Sequence, residues 1–452
     1  RWSVNIAIRL NASLFSAIHT ATHIGTIMIM EINNRLRHKI SGYGSKWGYP
    51  FFRNLASVLL WMLLLVPSAG FAQKKEIQLA KDQVKSGKNL PQAQASMQKL
   101  LADSANQNNK KIWNLYFDAV RKQYEQGNEK LYLKQKYDTA QLFNFTRQLF
   151  EIAQQFDSVE MVPNKKGKVE IEFRKQHADY LSHIRTNLFN GGLWFLGKKK
   201  YADSYKFFDR YIDCANQPLF QSYDYSQKDK HLPLAAYYAV YSGYKMKDPK
   251  ATLHHSYVAL KDTVHYNYML QYLAETYYLE KDTARYLASL KEGFERVPTF
   301  PYFFPRLVEF YVDINQLDSA MAVVDKALTI VPDSDMYLVA KSNILFEQSK
   351  LQECIKVSDK AISVNEELAD PYYNAGICYF NMAVEQDKSS QTSRKVREQV
   401  DANYRKALPY LVKYRKLQPD EQSKWAFPLY TIYLNLNMGK EFDEIDKIMK
   451  KR

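Results

Sequence analysis

The stretch PTFPYFFPRLVEFYVDINQLDSAMAVVDKALTIVP, residues 298–332, decides how this chain folds. Phe304, Leu307 and Tyr311 stand at i, i+3 and i+7, one face of a helix. Ala320, Val324, Ala327 and Leu328 repeat that spacing after a turn at Asn315. The small side chains of Ala320 and Ala327 let two antiparallel helices approach closely, and Leu307 and Tyr311 fill the space between them. Pro332 ends the second helix, and Asp333, Ser334 and Asp335 offer caps for the next one. Pro298 and Pro332 close successive segments 34 residues apart.

Working outward, the same step recurs. Upstream stand Leu270, Leu273, Ala274, Tyr277, Leu290 and Phe294. Downstream stand Leu338, Leu345, Leu351, Cys354, Ala361 and Ile362, then Tyr372, Ala375, Gly376, Tyr379 and Phe380. A polar insertion at 385–400 interrupts the last of these copies, whose second helix resumes with Tyr404, Ala407, Leu411, Tyr414 and Pro419. A final pair begins at Trp425 and turns at Gly439. Weaker copies precede them, one running from Asn190 to Ile212 and one at 234–260 that turns at Asp248 and Pro249. Four helical stretches are expected within 73–158. The residues of 159–173 around PNKKG (163–167) alternate in polarity, as a small β-hairpin would, within a connector spanning 159–187.

A period of 34 residues with these small, aromatic and proline positions resembles the tetratricopeptide repeat family. The resemblance is specific over 267–381, holds more loosely over 188–452, and is only suggestive within 73–157. It implies an all-α fold, a solenoid of antiparallel helix pairs wound into a superhelix, whose first helices line a concave face.

Composition agrees with helices. Gly and Pro are few, 15 each in 452 residues, too few for the turns of a sandwich or barrel. Tyr, at 34 residues, outnumbers Phe at 24, and suits helix interfaces that are wet at one edge. The formal charge is +15. Basic and acidic residues are interspersed and no nucleic-acid motif accompanies them, so no nucleic-acid partner is expected.

Residues 1–72 carry seven Lys/Arg against one acid, Glu31. The apolar core LASVLLWMLLLV (55–66) follows Arg53 and precedes Pro67, Gly70 and Ala72. This is the pattern of a secretory signal peptide, placed at 51–72, with cleavage expected after Ala72. The run is short for a membrane span, so none is expected once the signal is removed. Met28 and Met30 are candidate starts within the 1–50 leader. The expected location is therefore periplasmic or otherwise secreted, with association to the cell envelope.

No catalytic signature appears. GLWFLGKK (192–199) matches G-x4-G-K but continues with Lys instead of Ser or Thr, and its bulky apolar interior reads as helix. The histidines include no HExxH. The neighbours His254 and His255 are expected to point to different faces of a helix, with no carboxylate at metal spacing. Of the three cysteines, Cys214, Cys354 and Cys378, none sits in a CxxC pair. All three read as buried small side chains, with a Cys354–Cys378 bridge as the alternative. No metal and no cofactor are expected.

The resemblance also implies where a ligand sits, because positions two, five, six, nine and twelve of each first helix face the groove. Counting from Asn267, Pro301, Asp335 and Ala369 selects Tyr268, Tyr272 and Tyr278, Tyr302 and Arg306, Asn343 and Phe346, and Tyr373, Asn374 and Phe380. Such a lining suits an extended peptide, with aromatic anchors and amides that bond backbone. The competing reading packs these aromatics against neighbouring helices. The family's clamp for a terminal carboxylate is incomplete, because Val339 occupies its Lys position and Ser423 and Phe427 replace cations. The expected function is a non-enzymatic exported scaffold for protein or peptide segments. A glycan-binding or assembly role in the envelope is second, and an unrecognised hydrolase third.

Overall fold

The computed structural model describes residues 73–164, 166–388 and 393–450. They are helical, with no strand among the described residues. The chain divides into two compact units, 1–103 and 104–452.

In the first unit, α1 (73–86) and α2 (Leu90–Ala102) are joined by a tight turn. Gly87 there adopts φ +69°, and Asn89 enters α2 from the left-handed region at φ +56°, a conformation Asn tolerates better than most residues. The i, i+3, i+4 stripe of Leu90, Ala93, Met97 and Leu101 is buried.

The second unit opens with α3 (Lys110–Tyr132) and α4 (Thr139–Glu160). Asn109 caps α3 by accepting from the Lys111 N–H, and Asp138 caps α4 by accepting from Ala140 and Gln141. The hairpin expected near 159–173 is not formed. α4 runs through Glu160, and Asn164 then organises an irregular turn by accepting from the Lys166 and Lys168 N–H groups. Val162, Val169 and Ile171 are exposed, so the alternating residues have no sheet or helix face to bury against, which a two-stranded ribbon needs. The buried carboxylate of Glu160 instead accepts from the backbone N–H of Glu172 and Phe173 and fixes the exit of this loop. Helix resumes at α5 (Arg174–Ile184), inside the stretch expected to be connector.

The array continues with α6 (Thr186–Gly197), α7 (Tyr201–Asp213), α8 (Leu232–Met246) and the short α9 (Pro249–His254). Next come α10 (Tyr266–Leu279) with α11 (Thr283–Arg296), α12 (Phe303–Asp313) with α13 (Leu317–Ile330), and α14 (Asp335–Glu347) with α15 (Leu351–Val364). The period is visible in the backbone. Lys247, Lys281, Asn315 and Ser349, each 34 residues after the last, all take a left-handed φ of 56° to 59° between the helices of a pair. A tight αα turn needs this conformation, and only Asn315 among the four is a residue that favours it. The turn geometry is therefore imposed by the packing of the pair.

The core follows the expected stripes. Phe304, Leu307, Ala320, Val324 and Ala327 are buried together with Leu290, Phe294 and Phe303. The insertion at 385–400 lengthens two helices, α16 (Ala369–Asp387) and α17 (Arg394–Leu417), and its residues 389–392 lie outside the described ones. α18 (Gln422–Asn435) and α19 (Gly439–Lys450) end the array around buried Trp425, Leu429 and Ile445.

Cys354 and Cys378 are buried free thiols in one small cluster, so the bridge considered for them is not made. The Cys354 thiol donates to the Ser342 carbonyl oxygen at 3.4 Å, within a buried network that also holds Ser358. The signal segment lies outside the described residues. Among those described, no helix is long and apolar enough to cross a membrane.

Candidate functional site

First helices of successive pairs line two neighbouring cavities in the second unit. The first, about 650 Å³, is walled by Tyr244, Glu275, Tyr286, Tyr302, Arg306 and Asp313. The second, about 530 Å³, has an apolar floor that includes Phe304, Val308, Val339 and Phe346, with Asn343, Tyr373 and Asn374 at its far side. Glu309 and Asp313, on α12, belong to both walls. Tyr302 and Arg306 are thereby joined to Asn343 and Tyr373 along one strip that crosses three repeats.

The expected residues divide by role once packing is known. Arg306 is half-buried and stacks on Tyr302, its guanidinium carbon 3.9 Å from the ring centroid, while its Nη1 donates to the Tyr302 carbonyl at 3.3 Å. Tyr302 reaches the cavity but is mostly core. Its hydroxyl is held well above the ordinary Tyr range, by burial first and by the Glu275 charge second. Tyr244 donates to Glu275 at 2.6 Å, and burial with that hydrogen bond pushes its hydroxyl up to about 12. These phenols stay neutral donors across ordinary pH.

Tyr272, expected to face the groove, is buried instead. It sits in an aromatic column with Tyr244, 4.5 Å away, and Tyr241, 5.7 Å away, because the preceding first helix covers that face of α10. Phe380 is likewise core, against Tyr404 and Phe427. Tyr268 and Tyr278 are exposed, the former edge-on to Phe300 at 5.4 Å. Neither Phe380 nor Tyr268 lines the two cavities.

The two asparagines meet as the repeat spacing suggests, but they bond each other. Buried Asn374 donates from Nδ2 to Asn343 Oδ1 at 2.6 Å and to Ser342 Oγ at 2.9 Å, tying α16 to α14. Asn343 is exposed, and this bond leaves its own amide N–H groups to meet a guest.

Sequence reasoning passed over the acids. The second cavity is rimmed by Glu309, Asp313, Glu347 and Asp370, with no Lys or Arg in its lining, in a chain whose overall charge is +15. The signal was present: Glu275, Glu309 and Asn343 stand 34 residues apart, all at position nine of a first helix.

Gly192, the first glycine of the phosphate-loop-like stretch, lies inside α6, and a Cβ there would sit 2.6 Å from the Phe208 ring. Close aromatic packing accounts for this glycine, and no open loop is present to cradle phosphate. His254 and His255 do not point to opposite faces. The helix breaks at His255 (φ −107°, ψ 13°), and both rings turn toward Asp209.

No family model matches the chain, and no curated protein matches it. Solved structures with a similar arrangement include the C-terminal part of a TPR repeat-containing protein from Cytophaga hutchinsonii. It has 9% identity over 57% of this chain and 93% of that one, with a TM-score of 0.39. MamA shows 18% identity over 42% and 91% at 0.32. YrrB, described as a TPR protein with an unusual peptide-binding site, shows 15% over 43% and 90% at 0.31. The repeat type rests on the chain's own helix register. With paired antiparallel helices, small residues at their crossings and a left-handed turn every 34 residues from Lys247 to Ser349, the second unit is an array of antiparallel helix pairs, the α-solenoid arrangement that the resemblance to tetratricopeptide repeats implies.

Proposed function

We propose that this chain is a non-enzymatic scaffold that holds an extended protein segment along the strip formed by the two cavities. The observation that carries the reading is the shared wall of Glu309 and Asp313. It makes the strip continuous across three repeats and places carboxylates above an apolar floor. An apolar side chain seated on Phe304, Val308 and Val339, next to a Lys or Arg that meets Glu309 or Asp313, satisfies both features. The Asn343 amide and the Arg306 fork supply bonds to peptide backbone. Glu309 and Asp313 are both exposed, so neutralising them leaves the fold intact.

Glu309→Gln with Asp313→Asn is therefore expected to keep the thermal melt. It should weaken capture of a fluorescent Leu/Lys-alternating peptide about tenfold, roughly 1.4 kcal/mol, with wild-type binding falling as salt rises. Undiminished binding in the double variant would place the peptide elsewhere. The tyrosines of the first cavity also suit the face of a sugar ring. Binding of an envelope oligosaccharide that survives the same double variant would favour that second reading.

Export belongs to the same proposal. The mature protein is expected to begin at Gln73. Mass spectrometry of protein from its native host that finds mainly peptides crossing the bond between Ala72 and Gln73 would contradict it.

A further inference from the structure

A second constellation lies away from the strip. Asp209 and Asp213 stand one turn apart on α7 and present both carboxylates to the same side. Facing them is the bend where α9 ends at His254. Because His255 leaves helical geometry, the adjacent imidazoles converge, with ring centroids 4.2 Å apart. His255 Nε2 lies 2.7 Å from Asp209 Oδ1, and His254 Nε2 lies 3.7 Å from the same oxygen. One ligating atom from each of Asp209, Asp213, His254 and His255 falls within 4.8 Å of the others.

Two features separate this cluster from an ordinary acidic surface. His255 is buried, and both aspartates are partly so. Among the described residues, no Lys or Arg is ion-paired with either carboxylate: neighbouring Arg210 is engaged with Glu151, and Lys206 with Asp203. Two partly buried acids one turn apart repel each other unless a cation lies between them. The groups aimed at them are the two imidazoles and the Tyr205 hydroxyl, which bonds Asp209, and a neutral imidazole is a metal ligand.

We propose that Asp209, Asp213, His254 and His255 form a site for a divalent transition metal, with Zn²⁺ as its occupant, clipping α7 to the His254–His255 bend. Two imidazole nitrogens and two carboxylate oxygens are a four-donor set suited to Zn²⁺. Mg²⁺ and Ca²⁺ demand oxygen donors in larger number. With bonds of about 2.0–2.1 Å, tetrahedral donors stand about 3.3 Å apart. The present separations bracket that value, and rotation of His254, whose side chain is 56% exposed, closes the set. The clip joins residues 46 positions apart in the chain, so an ion here holds two neighbouring helix pairs together. The opposing account is that Asp209 simply accepts hydrogen bonds from the histidines to pack the helices.

The test uses the protein purified without a histidine tag and stripped with a chelator. Calorimetric titration with ZnCl₂ is expected to give one ion per chain, a higher Tm, and reversal by chelator. Co²⁺ is expected to give visible absorption bands characteristic of four-coordination, while Mg²⁺ and Ca²⁺ give no response. His254→Ala and Asp213→Asn, at exposed and partly exposed positions, are each expected to weaken uptake about tenfold or more without changing the chelated protein's melt. Failure to take up one Zn²⁺ per chain, or uptake that both variants leave unaltered, overturns the site in favour of the hydrogen-bonding account.

Discussion

Arg185→Ala is expected to destabilise the region 174–232 by about 3–5 kcal/mol. Arg185 sits at the break between α5 and α6, and its side chain is only 7% exposed. Its guanidinium carbon lies 3.8 Å from the Tyr211 ring centroid and 3.9 Å from that of Tyr225, so it is held between two aromatic faces. Nη1 donates to Asp229 Oδ2 at 2.6 Å and Nη2 to the Tyr211 carbonyl at 2.9 Å. Removing the cation leaves Asp229, itself 8% exposed, as a buried charge with only the His231 N–H and the Tyr211 hydroxyl as partners.

The cost comes mainly from that stranded carboxylate, and this is testable. Arg185→Met combined with Asp229→Asn removes both charges and is expected to cost less than Arg185→Ala alone in urea unfolding. The pH dependence has a definite sign. Burial works to raise the pKa of Asp229, but the hydrogen bonds from Arg185 and Tyr211 and the Arg185 charge outweigh it and hold the carboxyl below the usual range. A depressed carboxylate pKa contributes stability that is full above the unfolded value, about 3.9, and is lost as pH falls through the folded one. The gap between wild type and Arg185→Ala is therefore expected to narrow in acid. A gap independent of pH would mean that lost packing between the tyrosines dominates.

Gly243→Val is expected to cost about 3 kcal/mol, at the upper end for an overpacked core, since the obstacle is main chain. A Cβ at Gly243 would lie 2.5 Å from the Thr252 backbone nitrogen and 2.7 Å from the Ala251 carbonyl carbon. α8 and α9 touch there backbone to backbone, so no side chain can rotate aside and the pair must separate. Stability in a repeat array is summed over neighbouring interfaces, and the loss is expected to appear first as faster hydrogen exchange in 232–259. Gly197→Ala is the control. Gly197 ends α6 with nothing near its Cβ position, and the change is expected to be neutral or stabilising by up to about 1 kcal/mol. An unchanged urea midpoint for Gly243→Val would show that the two helices do not approach as closely as described.

The pattern of local burial determined the architecture. Between 266 and 381, each helix announces its buried face through apolar residues at i, i+3 and i+4, and Pro298 and Pro332 mark where second helices stop. Ala320 and Ala327 are fully buried where their size suggested, because a helix crossing is satisfied by residues close in sequence. Arg306, Asn343 and Tyr373 line the two cavities, since position within a repeat carries over from one pair to the next. Packing between pairs decided the rest. Tyr272 and Phe380 share the helical phase of groove residues, yet neighbouring helices cover them, and Asn374 is consumed by Ser342 and Asn343. The alternating residues near 169 form no hairpin, because a strand pair needs a surface to bury against and none faces them. The acidic rim and the Asp209–His255 cluster are decided at the same level. Net charge averages over surfaces that folding separates, and a helix broken at His255 brings together groups 46 residues apart that no local period connects.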